Sequence, residues 1–299
     1  MEPERAGLSL QTMSRSGKHE LSVVDHDRNS VELTYVYPVV SRRAGGVSIG
    51  VNLNPNNACN WRCVYCQVPG LVFGKAPPAD LKLLETELRQ MFDAVLHGDF
   101  MAERVPEGAR NLRDVAFSGN GEPTSCLELD AALETVAAVL GDFGLLGKLP
   151  VVLITNGSLL HLPRVRTALE RLSGMGGEVW FKLDSATEQG ARRINSCQAS
   201  PQEHLNKLRA AASLCPTWVQ TCLFQWHGAE PTKDEQDAYL DALRGLVQDA
   251  VPLRGVLLYT TARPSHQPEA PALQPLPLQF LEAFASRIRE LGLDVRVSG

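Results

Sequence analysis

Cys59-Asn60-Trp61-Arg62-Cys63-Val64-Tyr65-Cys66 places three thiols within eight residues, spaced C-x3-C-x2-C. Three thiolates this close can ligate one iron–sulfur cube and leave its fourth iron without a protein ligand. An iron left open is a place for chemistry, whereas a fully ligated cluster mostly passes electrons. The run lacks the second C-x2-C or the His pair of a tetrahedral zinc site. It also lacks the fourth nearby cysteine of a ferredoxin run. Plain buried cysteines, or a zinc site completed from a distance, are the alternative readings.

Outward from this loop the apolar pattern alternates. Val47–Leu53 reads as a strand leading into it, and Asp80–Leu96 as a helix leading away. Strands are expected at Asp114–Ser118, Val151–Thr155, Glu178–Leu183, Trp218–Gln225 and Arg254–Thr260, with one more short strand at Asp294–Val297. Helices are expected at Leu127–Leu140, Leu162–Leu172, Gln202–Leu214, Lys233–Val247 and Leu278–Leu291. Strand followed by helix, about six times over, gives parallel strands with covering helices. The fold class is therefore α/β: a partial (β/α)6 barrel of parallel strands. Glu20–Asp25 and Val31–Val40 suggest an N-terminal β-hairpin extension. The expected division is residues 1–44 for a tail and hairpin, with 1–17 weakly held, and residues 45–299 for the barrel with its C-terminal helix. Pro264–Pro277 carries five prolines and reads as a loop, either a stiff connector or a flap over the barrel mouth.

In parallel α/β folds ligands sit at the carboxyl ends of the strands. There the chain places Ser118-Gly-Asn-Gly-Glu-Pro-Thr124, Thr155-Asn-Gly-Ser158 and Lys182-Leu-Asp-Ser185. Gly119 and Gly121 allow a sharp turn close to a ligand. Asn156 or Ser158 suits a helix N-cap, and Lys182 with Asp184 a surface ion pair. Asp184 could equally accept from a ribose diol, and Lys182 could meet a carboxylate. Tyr259 and Arg263 end the sixth strand, where a substrate would lie. Cys126, Cys197, Cys215 and Cys222 are scattered and read as packing residues.

The 299 residues carry 34 acidic and 29 basic side chains, a net charge of −5, which demands no polyanionic partner. The first residues hold no apolar leader core, and no stretch approaches membrane-spanning length. The chain is expected to be cytoplasmic, where seven cysteines point to metal or catalysis rather than disulfides.

Together these motifs resemble the radical S-adenosylmethionine (SAM) superfamily, from about Val47 to Thr261. The C-x3-C-x2-C loop, with Tyr65 before its last cysteine, is that superfamily's hallmark. Gly119-Asn-Gly-Glu-Pro123 resembles its glycine–glutamate motif, with Asn120 in place of the usual first glycine. The strings CVYCQVP, FSGNGEPT, LITNGS, KLDS and LLYTTARP are most similar to the wyosine-synthase-related iron–sulfur oxidoreductases, a group that includes tRNA 4-demethylwyosine synthases. The archaeal-type tRNA enzymes hold a second cluster on cysteines before the hallmark loop; this chain has none before Cys59.

The resemblance implies a 4Fe-4S cluster on Cys59, Cys63 and Cys66, with SAM chelating the fourth iron. It implies adenine beside Tyr65, and the methionine amino group along Gly119, Gly121 and Glu122. Thr155 or Asn156, with Lys182 and Asp184, would hold the carboxylate and ribose. Reductive cleavage of SAM would give a 5′-deoxyadenosyl radical that takes hydrogen from a substrate. That substrate is open: a tRNA base as in wyosine-type modification, a peptide, or a small metabolite. The electron is expected from a separate flavodoxin-type or ferredoxin-type donor. A non-catalytic iron–sulfur or zinc protein is the competing class.

Overall fold

Period-two alternation along the strands builds two apolar surfaces, one on each face of the main curved sheet. The computed structural model describes residues 20–22 and 30–299. Strand β1 (Val36–Ser41) pairs antiparallel with β2 (Gly46–Val51). Next come β3 (Leu112–Phe117), β4 (Val151–Thr155), β5 (Glu178–Lys182), β6 (Thr217–Trp226) and β7 (Leu253–Thr260). A short β8 (Leu273–Pro275) lies antiparallel on the end of β6, and β9 (Val295–Ser298) lies beside β7. From β2 to β7 and on to β9 every pairing is parallel. Among the described residues β1 and β9 remain unpaired edges, so the barrel is open on one side.

The longer helices among the described residues are α1 (Leu81–Leu96), α2 (Leu129–Asp142), α3 (Pro163–Gly174), α4 (Glu188–Asn195), α5 (Pro201–Leu214), α6 (Lys233–Gln248) and α7 (Leu278–Arg289), with a short helical turn at Phe100–Arg104. In β4, Val151 and Leu153 face the helices while Val152 and Ile154 face the barrel interior. Inside, Ala116, Val152, Trp180, Trp218 and Leu257 form a second apolar cluster. The indoles of Trp180 and Trp218 both donate to the Glu178 carboxylate, at 2.7 and 3.1 Å.

The expected partial barrel is the observed one, and the short strand expected at Asp294–Val297 is β9. Residues 1–17 and half of Glu20–Asp25 lie outside the described residues; β1, which holds residues 36–40 of the expected hairpin, pairs with β2, the first strand of the barrel. Helix α4 was not foreseen, because only Gly190, Ile194 and Asn195 are buried on it and no apolar stripe results. Among the described residues no helix is long and apolar enough to cross a membrane.

Candidate active site

The cysteine loop leaves the carboxyl end of β2 and is pinned from two sides. Val64 donates its N–H to the Ile194 carbonyl (2.8 Å) and Arg62 to that of Asn195 (3.2 Å), fixing the loop to the end of α4. The proline-rich segment holds the other side. Ser265 Oγ donates to the carbonyl of Val64 (2.6 Å), and His266 N–H to that of Cys66 (2.9 Å). Gln267 Nε2 reaches the carbonyl of Val68 (3.3 Å), and Arg62 forks onto Glu269 at 2.7 and 2.8 Å. These bonds dock residues 265–269 of the proline-rich stretch on the cysteine loop.

Cys59, Cys63, Tyr65, Cys66, Gly119, Gly121, Glu122, Asn156 and Lys182 line one cavity of about 260 Å³. Thr155 and Asp184 do not line it. They stand behind it and act through neighbours. Among the described residues no three His, Cys, Asp or Glu side chains converge as ligands of a single ion do. The thiols border a cavity rather than a point.

Two of the sulfurs accept N–H hydrogen bonds: Cys59 Sγ from the Trp61 backbone (3.4 Å) and Cys63 Sγ from Asn195 Nδ2 (3.3 Å). Burial pushes both thiols up to about 12. As bare groups they are protonated at neutral pH, and a cationic group bound between them must displace those protons. Three soft donors around one cavity, with N–H bonds aimed at the sulfur that would carry charge, fit an iron–sulfur cube.

The second loop fits against the first. Gly119 has φ +132°, and a Cβ there would strike the Asn52 side chain; one at Gly121 would strike the Ala58 carbonyl. Asn120 is not left-handed, so its fit does not depend on tolerance of that conformation. Its side chain instead donates to Asn57 Oδ1 (2.6 Å), tying the two loops together.

Glu122 is the hub. Its Oε1 accepts from Thr124 N–H (3.1 Å) and from the Thr124 and Thr155 hydroxyls (both 2.6 Å), and its Oε2 accepts from Asn156 N–H (2.7 Å). Burial raises its pKa, and these donors oppose the rise. Asp184 is a second hub. It accepts from the Tyr65 hydroxyl, from Asn195 Nδ2 (2.7 Å) and from Cys222 N–H (2.9 Å), with Lys182 Nζ 3.8 Å away. Both acids therefore hold loops in place, an arrangement that a reading of strand ends alone does not reveal.

Sequence reasoning missed Asn60 and Asn195. Asn60 Nδ2 donates to Ser158 Oγ (2.7 Å), and Asn156 Nδ2 returns a bond to Asn60 Oδ1 (2.9 Å). Asn60 sits inside the hallmark loop and was within reach of inspection; Asn195 lies 132 positions from Cys63.

His204, unassigned in the sequence, is buried between Trp61 and Phe181, with ring centroids 5.4 and 4.8 Å away. Its Nε2–H donates to the Lys182 carbonyl (2.8 Å), and Nδ1 has no partner. Burial lowers its pKa from the ordinary 6.5 to about 4. Between those values the unfolded chain binds the extra proton, so stability is full above pH 6.5 and falls as pH drops toward 4, by about 3 kcal/mol. Asp114, whose carboxyl burial raises to about 6, acts in the opposite sense. Urea unfolding of wild type and His204→Leu across pH 4–7 isolates the histidine share; parallel curves would refute it.

The sequence matches the model of the radical SAM superfamily over residues 53–230. UPF0026 protein MJ1312 of Methanocaldococcus jannaschii is 33% identical over 159 residues, which cover 53% of this chain and 42% of that protein. The chain spans less than half the length of two curated relatives it matches. A radical SAM methyltransferase from Sphaerobacter thermophilus has a similar fold, with a TM-score of 0.58 and 14% identity, covering 85% of this chain and 66% of that one. So does TYW1 with a lysine-pyruvate adduct bound, with a TM-score of 0.52 and 17% identity, covering 90% of this chain and 79% of that one. With the family model spanning more than half of its length, the chain belongs to the radical SAM superfamily, whose members are enzymes.

Proposed function

We propose that this chain is a radical SAM enzyme that holds a 4Fe-4S cluster on Cys59, Cys63 and Cys66 and SAM in the adjoining cavity. The observation that carries the reading is the meeting of three thiols, two with N–H donors, with the Gly119–Glu122 loop and Lys182 around one cavity. With both groups bound, such a site supplies one-electron cleavage of a sulfonium C–S bond and hydrogen-atom abstraction from a substrate.

The chain's own residues do the positioning. Asn195 and the Trp61 N–H stabilise thiolate charge. Gly119 and Gly121 bring backbone polar groups to the methionine end, where Glu122 Oε2, with one bond made, keeps room for an amino donor. Asn156 and Lys182 face a carboxylate or ribose, and the backbone at Tyr65 faces the adenine. Thr155 and Asp184 support these groups from behind. The tryptophan pair on Glu178 fills the lower barrel and keeps water from the reacting centre. The electron comes from a separate flavodoxin-type or ferredoxin-type protein.

Anaerobic reconstitution is expected to give about four irons per chain, and dithionite with SAM to yield 5′-deoxyadenosine. Zinc in place of iron, or no nucleoside from fully loaded protein, would sink the reading and favour a structural metal staple. A salt-sensitive gel shift with bulk tRNA separates a tRNA base from a peptide or metabolite as substrate.

A further inference from the structure

We propose that the cavity continues, deeper in the barrel, into a carboxylate-binding subsite built from Arg43 and Gln220, so that the substrate carries a carboxylate. This rests on the enzymatic reading above and concerns only what that enzyme acts on.

Gln220 lies on β6 between Trp218 and Cys222, which alternation turns toward the same interior face. The residue is 1% exposed and lines the cavity, yet its Nε2 has no hydrogen-bond partner. A buried amide donor left unpaired costs about 1–3 kcal/mol, and folded proteins rarely keep one without a use. A ligand acceptor in the cavity would satisfy it.

Arg43 supplies the charge. The turn between β1 and β2 carries it across the open side of the barrel, and its guanidinium carbon lies 5.4 Å from the Trp180 ring centre and 5.0 Å from that of Tyr259. Among the described residues no hydrogen bond or ion pair engages it; besides the two ring faces, its charge is felt by the Asp114 carboxyl on the adjoining wall. Arg42 beside it is already committed, to the carbonyls of Gly299 and Thr260. Asp114, the acid on the adjoining wall, is engaged by the Ser48 hydroxyl. Glu122 and Lys182 belong to the SAM end of the cavity in the reading above, Glu122 holding four donors of its own and Lys182 lying 3.8 Å from Asp184.

A guanidinium held by aromatic faces keeps its N–H fork in plane, which matches the two oxygens of a carboxylate. The fork and one amide donor, set among Trp180, Tyr259, Ile154 and Ala116, suit a planar anion with an apolar body. A phosphate, tetrahedral and more strongly hydrated, asks for more donors than these.

The test is anaerobic calorimetric titration of the reconstituted full chain, with SAM present, using benzoate, succinate and inorganic phosphate as probes. At least one carboxylate is expected to bind saturably and more tightly than phosphate. Arg43→Lys and Gln220→Met should each weaken it about tenfold or more, the scale of a lost charge-assisted bond. Gln220→Met should melt no lower than wild type, because it removes an unpaired buried amide; this shows that lost binding is not lost folding. Phosphate binding ahead of both carboxylates, no carboxylate binding, or variants that bind like wild type would each overturn the subsite. 5′-Deoxyadenosine formation is followed in the same wild-type preparation. Its presence without carboxylate binding refutes the subsite alone, and its absence with carboxylate binding refutes the enzymatic reading.

Discussion

Cys63→Ala is expected to lose both the cluster and all SAM cleavage while the chain stays folded. Cys63 sits at the centre of the loop that α4 and the proline-rich segment hold in place by bonds to its backbone. Those bonds do not use its sulfur, so alanine leaves the loop's frame standing. What would disappear is one of the three ligands proposed for the cube, and with it the Asn195 N–H···S bond. Two thiols cannot hold a cube against loss to solvent, so iron should fall far below the about four atoms of a loaded cluster. Cys215→Ala is the control. That cysteine is buried beside the Gly177 carbonyl, away from the cavity, and its loss should lower stability slightly but leave iron and nucleoside formation intact. Iron at wild-type level in Cys63→Ala, by colorimetric assay and electron paramagnetic resonance, would contradict the ligand assignment.

Glu122→Ala is expected to produce the largest loss of stability. The carboxylate joins the loop after β3 to the loop after β4 through two backbone N–H groups and two hydroxyls. The hydroxyls can turn to other acceptors, but the buried N–H groups of Thr124 and Asn156 cannot. Each unpaired group costs about 1–3 kcal/mol, and the vacated volume adds to this. A total of about 3–5 kcal/mol should lower the melting temperature by on the order of 10 °C. Glu122→Gln keeps an acceptor for one side and turns an N–H₂ against the other, so it should fall between wild type and alanine. Scanning calorimetry decides. A wild-type melting temperature for Glu122→Ala would mean that the carboxylate serves the ligand alone.

The site residues differ in how far they can be read without the structure. Cys59, Cys63 and Cys66 lie within eight positions, so their spacing alone sets how far apart their sulfurs can be. Val151–Thr155 is five residues with an apolar side chain on both faces, a pattern that reads as a buried parallel strand, and the structure gives the same bounds. Helix α4 offered no such pattern, being short and mostly polar, and with it Asn195 was hidden. The proline-rich segment could be placed in order along the chain, but its seat on the cysteine loop depends on single side chains such as Ser265 and Gln267.

The alternation of strands and helices, the loop that carries the thiols, and the end of the barrel where the polar turns collect are all legible along the chain. All of these follow from interactions among near neighbours: side-chain period, turn chemistry and cysteine spacing. Which groups share the cavity depends on the three-dimensional fold. It turned Glu122 and Asp184 into hubs between loops, and laid Arg43 against Trp180 and Tyr259, 137 and 216 positions away. It also left Gln220 buried without a partner. Such contacts arise from barrel curvature and strand register, which bring distant positions to one face, and no local pattern along the chain records them.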